Sequence, residues 1–248
     1  MLKTIKRLLP SSFTERLRAL ALTGQNVYCP CCTGKFVTFL PNGLIKRLNA
    51  KCPRCRSLER HRLLHLYLEQ KTDLYQQAKK LLHVAPDEMF FRQFTNSPQI
   101  EYSPLDKFTK GYKYPKGTIN GDITALDFSE NYFDVIICSH VLEHIPDDRK
   151  AMKELFRVLK PGGWAILQVP IDTSRAETYE DFSITEPEER QQHFGQFDHV
   201  RVYGQDYGDR LTSVGFKVNV DEFVQKFSPE ERFRYGLQMD EDIYLCRK

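Results

Sequence analysis

Four cysteines fall in two pairs, Cys29-x2-Cys32 and Cys52-x2-Cys55, with nineteen residues between the pairs. This is the spacing of two knuckles around one tetrahedral ion, and four thiolates suit zinc. Protein ligands at all four positions leave no open one, so the chemistry expected is structural. Cys31 is a fifth sulfur that could replace a neighbour, His61 is a weaker substitute ligand, and redox disulfides are the competing use of the same residues. A second group, Ser139, His140, Glu143 and His144, follows the strand-like run Phe133–Cys138. An imidazole at a strand end can take a proton from a nucleophile, so His140 and His144 are candidate bases. The same donors, with a distant His199 or His193, can instead hold a divalent ion that activates a hydroxyl. A third group is the stretch from His193 to Tyr203 (HFGQFDHVRVY). Asp198 can orient or charge the His199 imidazole, a further candidate base, and Arg201 offers a bidentate grip on phosphate or carboxylate. Asp198, Arg201 and Tyr203 are therefore expected to contact substrate; loop-fixing hydrogen bonds and surface ion pairs are the competing roles.

The elements that must position these residues are legible in outline. The chain has 248 residues, 41% hydrophobic and 28% charged, with a mean hydropathy of −0.50. That is ordinary globular usage, enough for one α/β core and a small appendage. No apolar run of membrane-spanning length occurs, and Met1–Pro10 carries Lys3, Lys6 and Arg7 without a secretory apolar region. Seven cysteines without a signal peptide point to a reducing, cytoplasmic setting. Residues 1–62 carry +11 and residues 63–248 carry −8, so the basic part invites an anionic partner such as nucleic acid. Three regions are expected: basic amphipathic helices over 1–24, with helical spacing at 2–9 and Phe13–Leu22; a four-cysteine module over 25–66; and an α/β domain over 67–248. In the module, Lys35–Leu40 and Leu44–Leu48 are expected to pair around Pro41-Asn42-Gly43. Strands are expected at Leu81–Ala85, Ile100–Ser103, Thr118–Gly121, Phe133–Cys138, Trp164–Val169, Phe216–Asp221 and Ile243–Cys246. Helices are expected at Glu88–Phe94, Arg149–Leu159 and Asp206–Val214. Short apolar strands alternating with helices predict an open, doubly wound, Rossmann-like sheet of about seven strands, with ligands beyond the strands' carboxyl ends.

Residues Gly121–Pro170, GDITALDFSENYFDVIICSHVLEHIPDDRKAMKELFRVLKPGGWAILQVP, closely resemble the class I S-adenosylmethionine-dependent methyltransferases of the type 11 group. The Phe-Asp-Val-Ile strand, the Leu-Glu-His turn and the helix ending Arg-Val-Leu-Lys-Pro-Gly-Gly coincide as a set. The stretches CPRCRSLERHRLL, LLHVAPDE and the one from Glu177 to Leu211 look like a bacterial subgroup with an N-terminal cysteine module, so the resemblance covers most of residues 27–220. It implies S-adenosylmethionine as cofactor and a role for each matching residue. Asp106 would take the ribose hydroxyls, with Glu101 as the competing acid. Asp122 would take the adenine amino group and Ile123 would cover the ring. The turn Leu82–Asp87 lacks the family's glycines, so His83, Ala85 and Pro86 would shape that end of the site, with Ser139 facing it from the fourth strand. Pro161-Gly162-Gly163 reads as a helix end.

The resemblance implies methyl transfer to an O or N atom of a small molecule or glycan. One alternative is an RNA methyltransferase docking through the basic zinc module; another is a cofactor-binding regulatory module without catalysis. No Asn-Pro-Pro-Tyr follows the fourth strand and no Pro-Cys lies in the sheet domain, which demotes methylation of DNA amines and of pyrimidine ring carbons.

Overall fold

Residues 17–43 and 46–248 are described by the structure, a computed structural model, and they divide into two units. The first runs to Asp73 and also takes in Glu222–Asp242; the second is Leu74–Asp221 with Ile243–Lys248. The helix expected over 2–9, and the start of the one expected over Phe13–Leu22, lie outside the described residues; residues 17–21 are helical.

In the first unit β1 (Thr23–Cys29) pairs antiparallel with β2 (Gly34–Phe36), and β3 (Leu40–Asn42) with β4 (Arg47–Lys51). The single hairpin expected from Lys35–Leu40 and Leu44–Leu48 is therefore two. The first cysteine pair sits at the turn of β1–β2, where Thr33 at φ 55° lets the chain reverse tightly enough to bring both sulfurs to one side. The second pair precedes α1 (Glu59–Lys71), so the boundary expected at residue 66 falls inside this helix. Arg62, fully buried on α1, closes the unit. Its guanidinium donates to the carbonyls of Ser57, Tyr235 and Gly236 at 2.6–2.8 Å and lies 4.2 Å over the Phe39 ring. Gly236, at φ 60°, is needed there, because a Cβ would stand 2.7 Å from Arg62 Nη2 and 2.9 Å from the Asn49 carbonyl oxygen. One of the +11 region's cations is thus an internal clamp on the returning segment.

The second unit is a seven-stranded sheet. Its strands are β5 (Lys79–Val84), β6 (Ile100–Asp106), β7 (Ile119–Asn120), β8 (Phe133–Ser139), β9 (Leu159–Gln168), β12 (Lys217–Asp221) and β13 (Ile243–Arg247), in the order β12-β13-β9-β8-β5-β6-β7. All run parallel except β13, antiparallel to both neighbours. Val135, Ile136, Ile137 and Cys138 are consecutive and wholly buried, because both faces of the central strand are covered. Helix α2 (Glu88–Thr95) follows β5, and α3 (Asp148–Val158) buries Ala151, Met152, Leu155 and Val158, one face at helical spacing. A small ribbon of β10 (Tyr179–Glu180) and β11 (Arg201–Val202) flanks α4 (Pro187–Phe194) in sequence, and α5 (Tyr207–Thr212) leads to β12. The doubly wound sheet is the one expected. Pro161-Gly162-Gly163 differs: α3 stops at Val158, and the three residues lie within β9 where its register with β8 shifts. A Cβ on Gly163 would meet the carbonyl oxygens of Asp134 and Lys160 at 2.9 Å, so the bulge requires glycine.

Candidate functional site

From β5 the chain winds outward through β6 and β7, then returns to β8 on the opposite side of β5, so strand order reverses between these neighbours. A ligand crevice belongs beyond the carboxyl ends at such a reversal. A cavity of about 540 Å³ opens there, and its lining includes Ala85, Asp106, Asp122, Ile123, His140 and His144. The volume falls within the range of small-molecule sites.

Two residues at the strand ends hold left-handed backbone without being glycine: Ala85 at φ 47° and His140 at φ 57°. Each is tied across the sheet, Ala85 N–H to Leu105 O and His140 N–H to Gln168 O, both at 2.8 Å. Such a conformation costs a Cβ-bearing residue roughly 1–2 kcal/mol. Ala85 thus supplies the turn that a glycine would make. Asp87 caps α2, accepting from Met89 N and Phe90 N at 3.0 Å, so a carboxylate of the chain itself already occupies that helix start.

Asp106 ends β6; burial pushes its carboxyl up, against the Lys107 N–H that it accepts at 2.8 Å. Asp122 sits opposite, accepting from Lys107 Nζ at 2.8 Å and from Thr124 N and Oγ1 at 2.8 and 2.7 Å; Lys107 foremost holds its carboxyl down to about 2. Ile123 is buried beside it. Glu101 is exposed and faces Lys80 at 3.2 Å, outside the cavity. On the other wall His140 Nδ1 lies 3.4 Å from Glu143 Oε1, and His144 Nδ1 lies 3.3 Å from Asp198 Oδ2. The His199 ring packs edge-on to His144 with centroids 4.6 Å apart, and burial pushes its pKa down. His199 itself does not line the cavity; Asp198 does.

Several expected site residues lie elsewhere. Pro86 and Ser139 are outside the lining. His83 is 2% exposed beneath α2, 5.5 Å from the Phe94 ring, with Nδ1 2.9 Å from Tyr102 Oη. Burial takes its pKa from 6.5 down to about 3. In that interval the unfolded chain binds the extra proton, so the stabilisation from neutral His83 is complete above pH 6.5 and drains as pH falls. From about pH 7.5 to about pH 5 the sheet unit is expected to lose roughly 2 kcal/mol on this account, at about 1.4 kcal/mol per pH unit. In His83→Leu that part of the pH slope disappears from urea denaturation curves; an unaltered slope refutes the assignment.

Arg201 and Tyr203, expected to grip substrate, are internal. Arg201, wholly buried as a side chain, donates to Leu142, Ile145 and Pro146 carbonyls and to Glu180 Oε2 at 2.9 Å. Tyr203 Oη donates to Asp148 Oδ2 at 2.7 Å and stands 3.3 Å from the Leu142 carbonyl. They build the single helical turn Leu142–His144 that carries Glu143 and His144. The lining residues that sequence reasoning missed include Lys107, Thr109, Tyr112, Tyr114 and Phe197. The first four share the loop after Asp106, where Phe108 stacks on Tyr114 at 4.3 Å. Their one signal is aromatic and lysine residues interleaved directly behind Asp106.

The cysteine set is a separate centre. The sulfurs of Cys29, Cys32, Cys52 and Cys55 lie within 4.8 Å of one another, with Cys29–Cys55 at 3.5 Å and Cys32–Cys52 at 3.7 Å. Tetrahedral zinc with bonds of about 2.3 Å sets sulfurs about 3.8 Å apart, far beyond the roughly 2 Å of a disulfide. Hydrogen bonding to the Cys29 sulfur pushes the Cys32 and Cys52 thiols up, so a cation is what would let all four ionise together. Cys31 is not one of these four but packs against them, its Sγ beside Cys29 and 3.8 Å from His61 O, and His61 Nδ1 accepts from Leu58 N at the start of α1.

Comparison with known proteins agrees with this architecture. Residues 89–167 match a family model described as a methyltransferase domain. The chain is 35% identical over 68 residues to the sterol 24-C-methyltransferase erg6 of Aspergillus fumigatus, a match covering 27% of this chain and 18% of that one. It is 47% identical over 45 residues to the ubiquinone/menaquinone biosynthesis C-methyltransferase UbiE of Serratia proteamaculans, covering 18% of each. The chain thus spans 18% of the length of these curated relatives. Among solved structures it resembles an S-adenosylmethionine-dependent methyltransferase from Mesorhizobium loti (TM-score 0.51, 14% identity, 78% of this chain and 100% of that one). It also resembles the [4+2]-cyclase SpnF (TM-score 0.52, 17% identity, 75% and 80%). At these identities the likeness is one of fold. No helix among the described residues is long and apolar enough to cross a membrane.

Proposed function

We propose, from the premise that this chain carries a methyltransferase domain of the class I fold, that it is an S-adenosylmethionine-dependent methyltransferase acting on an O or N atom of a small molecule or glycan. One observation carries the reading: a single cavity brings Asp106, Asp122 and Ile123 together with His140 and His144. Asp106 accepts both ribose hydroxyls, its two oxygens matching two donors. Asp122 accepts the adenine amino group while keeping its Lys107 contact, and Ile123 covers the ring. The bound cofactor supplies an electrophilic methyl group. His140 or His144, at the opposite wall, removes the proton of the acceptor as it attacks. Asp198 holds the His144 ring in place. Zinc at the four cysteines is structural, since no coordination position stays open.

The reading is tested by calorimetric titration of the zinc-replete protein with S-adenosylhomocysteine. Binding is expected, and Asp106→Ala should weaken it about 100-fold, the loss of two hydrogen bonds to a charged group. Affinity should also fall on the acid side at a higher pH than for an ordinary carboxylate, because Asp106 must be ionised and burial raises its pKa. No binding by the intact protein, or equal binding by the variant, overturns the assignment. Binding without transfer to any screened hydroxyl or amine would favour the non-catalytic alternative.

A further inference from the structure

We propose that Glu143, His144 and His199 form a binding site for a divalent transition-metal ion at the wall of the cavity. The turn Leu142–His144 puts Glu143 and His144 side by side, and Val200 N–H donates to Glu143 O at 3.0 Å, which fastens His199 against them. Donor atoms of the three side chains all lie within 4.8 Å of one another. Small rotations bring such a set to metal bonds of about 2.0–2.2 Å.

Two further observations point to a cation. Glu143 is 2% exposed, and neither carboxylate oxygen has a hydrogen-bond partner; His140 Nδ1, 3.4 Å from Oε1, is not aligned for one. A buried carboxylate left in that state is costly, and the cost vanishes when an ion binds it. Each imidazole, moreover, is oriented through Nδ1: His144 by Asp198 at 3.3 Å and His199 by the Phe194 carbonyl at 3.3 Å. This is the outer support that metal-ligating histidines have, with the proton on Nδ1 and the lone pair on Nε2. Two imidazoles and one carboxylate suit zinc and its transition-metal neighbours and leave positions open for an oxygen donor in the cavity, whose lining includes His144. The site rests on these donors alone and does not depend on the methyltransferase reading, in which an ion on His144 Nε2 leaves His140 as the base.

The test counts metal. Full-length protein is loaded with zinc, dialysed against zinc-free buffer and measured by elemental mass spectrometry, for the wild type and for Glu143→Gln and His199→Ala. Whatever the four cysteines retain, each variant is expected to hold one zinc per chain fewer than the wild type, with affinity at the lost site down more than about 100-fold. Circular dichroism establishes that the variants fold, and His144→Asn, at a partly exposed position, replaces any that does not. Equal zinc content in the wild type and the folded variants overturns the proposal.

Discussion

Arg201→Ala is expected to destabilise the sheet unit by about 3–5 kcal/mol, the usual cost of removing one partner from a buried ion network. The guanidinium is wholly buried and serves five groups at once: Glu180, Asp148 at 3.8 Å, and three carbonyls of residues 142–146. Arg210 shares both acids, reaching Asp148 at 3.0 Å and Glu180 at 2.9 Å. Against the upward push of burial, the two arginines keep the Glu180 carboxyl below the ordinary range. Truncating Arg201 leaves the Ile145 and Pro146 carbonyls without their donor and leaves Asp148 and Glu180 with Arg210 as their one remaining arginine. Lysine should restore little, since an ammonium on a flexible stem cannot span a carboxylate and three carbonyls in one plane. Chemical denaturation of Arg201→Ala and Arg201→Lys measures this. On the proposed function, in which Asp106 carries cofactor binding, binding of S-adenosylhomocysteine should outlast the loss of methyl transfer, because the turn bearing His144 is what loosens. An unchanged denaturation midpoint in Arg201→Ala would show the network to be dispensable.

Removing metal from the four cysteines, by chelation or by Cys52→Ser, is expected to unfold the first unit. The buried cluster around the cysteines is, among the described residues, Val27, Cys29, Phe36, Phe39 and Cys52, two of which are the proposed ligands themselves. Structural zinc contributes on the order of 10–16 kcal/mol in comparable small modules, as much as the whole stability of an ordinary domain. The loss should appear in hydrogen exchange as collapsed protection over residues 23–73 and again over 222–242, because Arg62 binds the carbonyls of Tyr235 and Gly236. Protection in β5, β8 and β9 should persist. Full protection of 23–73 after complete chelation would mean that the module stands without an ion.

The sheet was legible because its central strands are continuous apolar runs bounded by polar turns, and the cysteine pairs because their spacing is itself the chemistry. What escaped was whatever depends on burial at single positions. Arg201 and Tyr203 are residue types that grip ligands, and only their enclosure by the Leu142–His144 turn and Asp148 reveals their internal work. His83 occupies a strand end expected to face the cofactor, but strand alternation turns it under Phe90 and Phe94. Ala85 adopts a left-handed conformation that its type does not advertise, held by one bond to Leu105. Asp106, Asp122 and Ile123 are expected at the crevice from the family resemblance, and His140 and His144 because they follow the fourth strand; strand ends are what the fold gathers there.

The cysteine unit takes its last piece, Glu222–Asp242, from between the two final strands of the sheet. During synthesis the cysteine pairs therefore emerge well before the segment that Arg62 must grasp. Until then Arg62 and Phe39 have no cover, and a captured ion would hold a half-built module. The sheet's own edge waits on the same stretch, because β13 inserts between β9 and β12 only after it has passed. Both units thus wait on residues 222–247: the cysteine unit closes through contacts 173–184 residues apart in sequence, the kind of closure that slows folding, and the sheet edge stays unpaired and open to aggregation until β13 is in place.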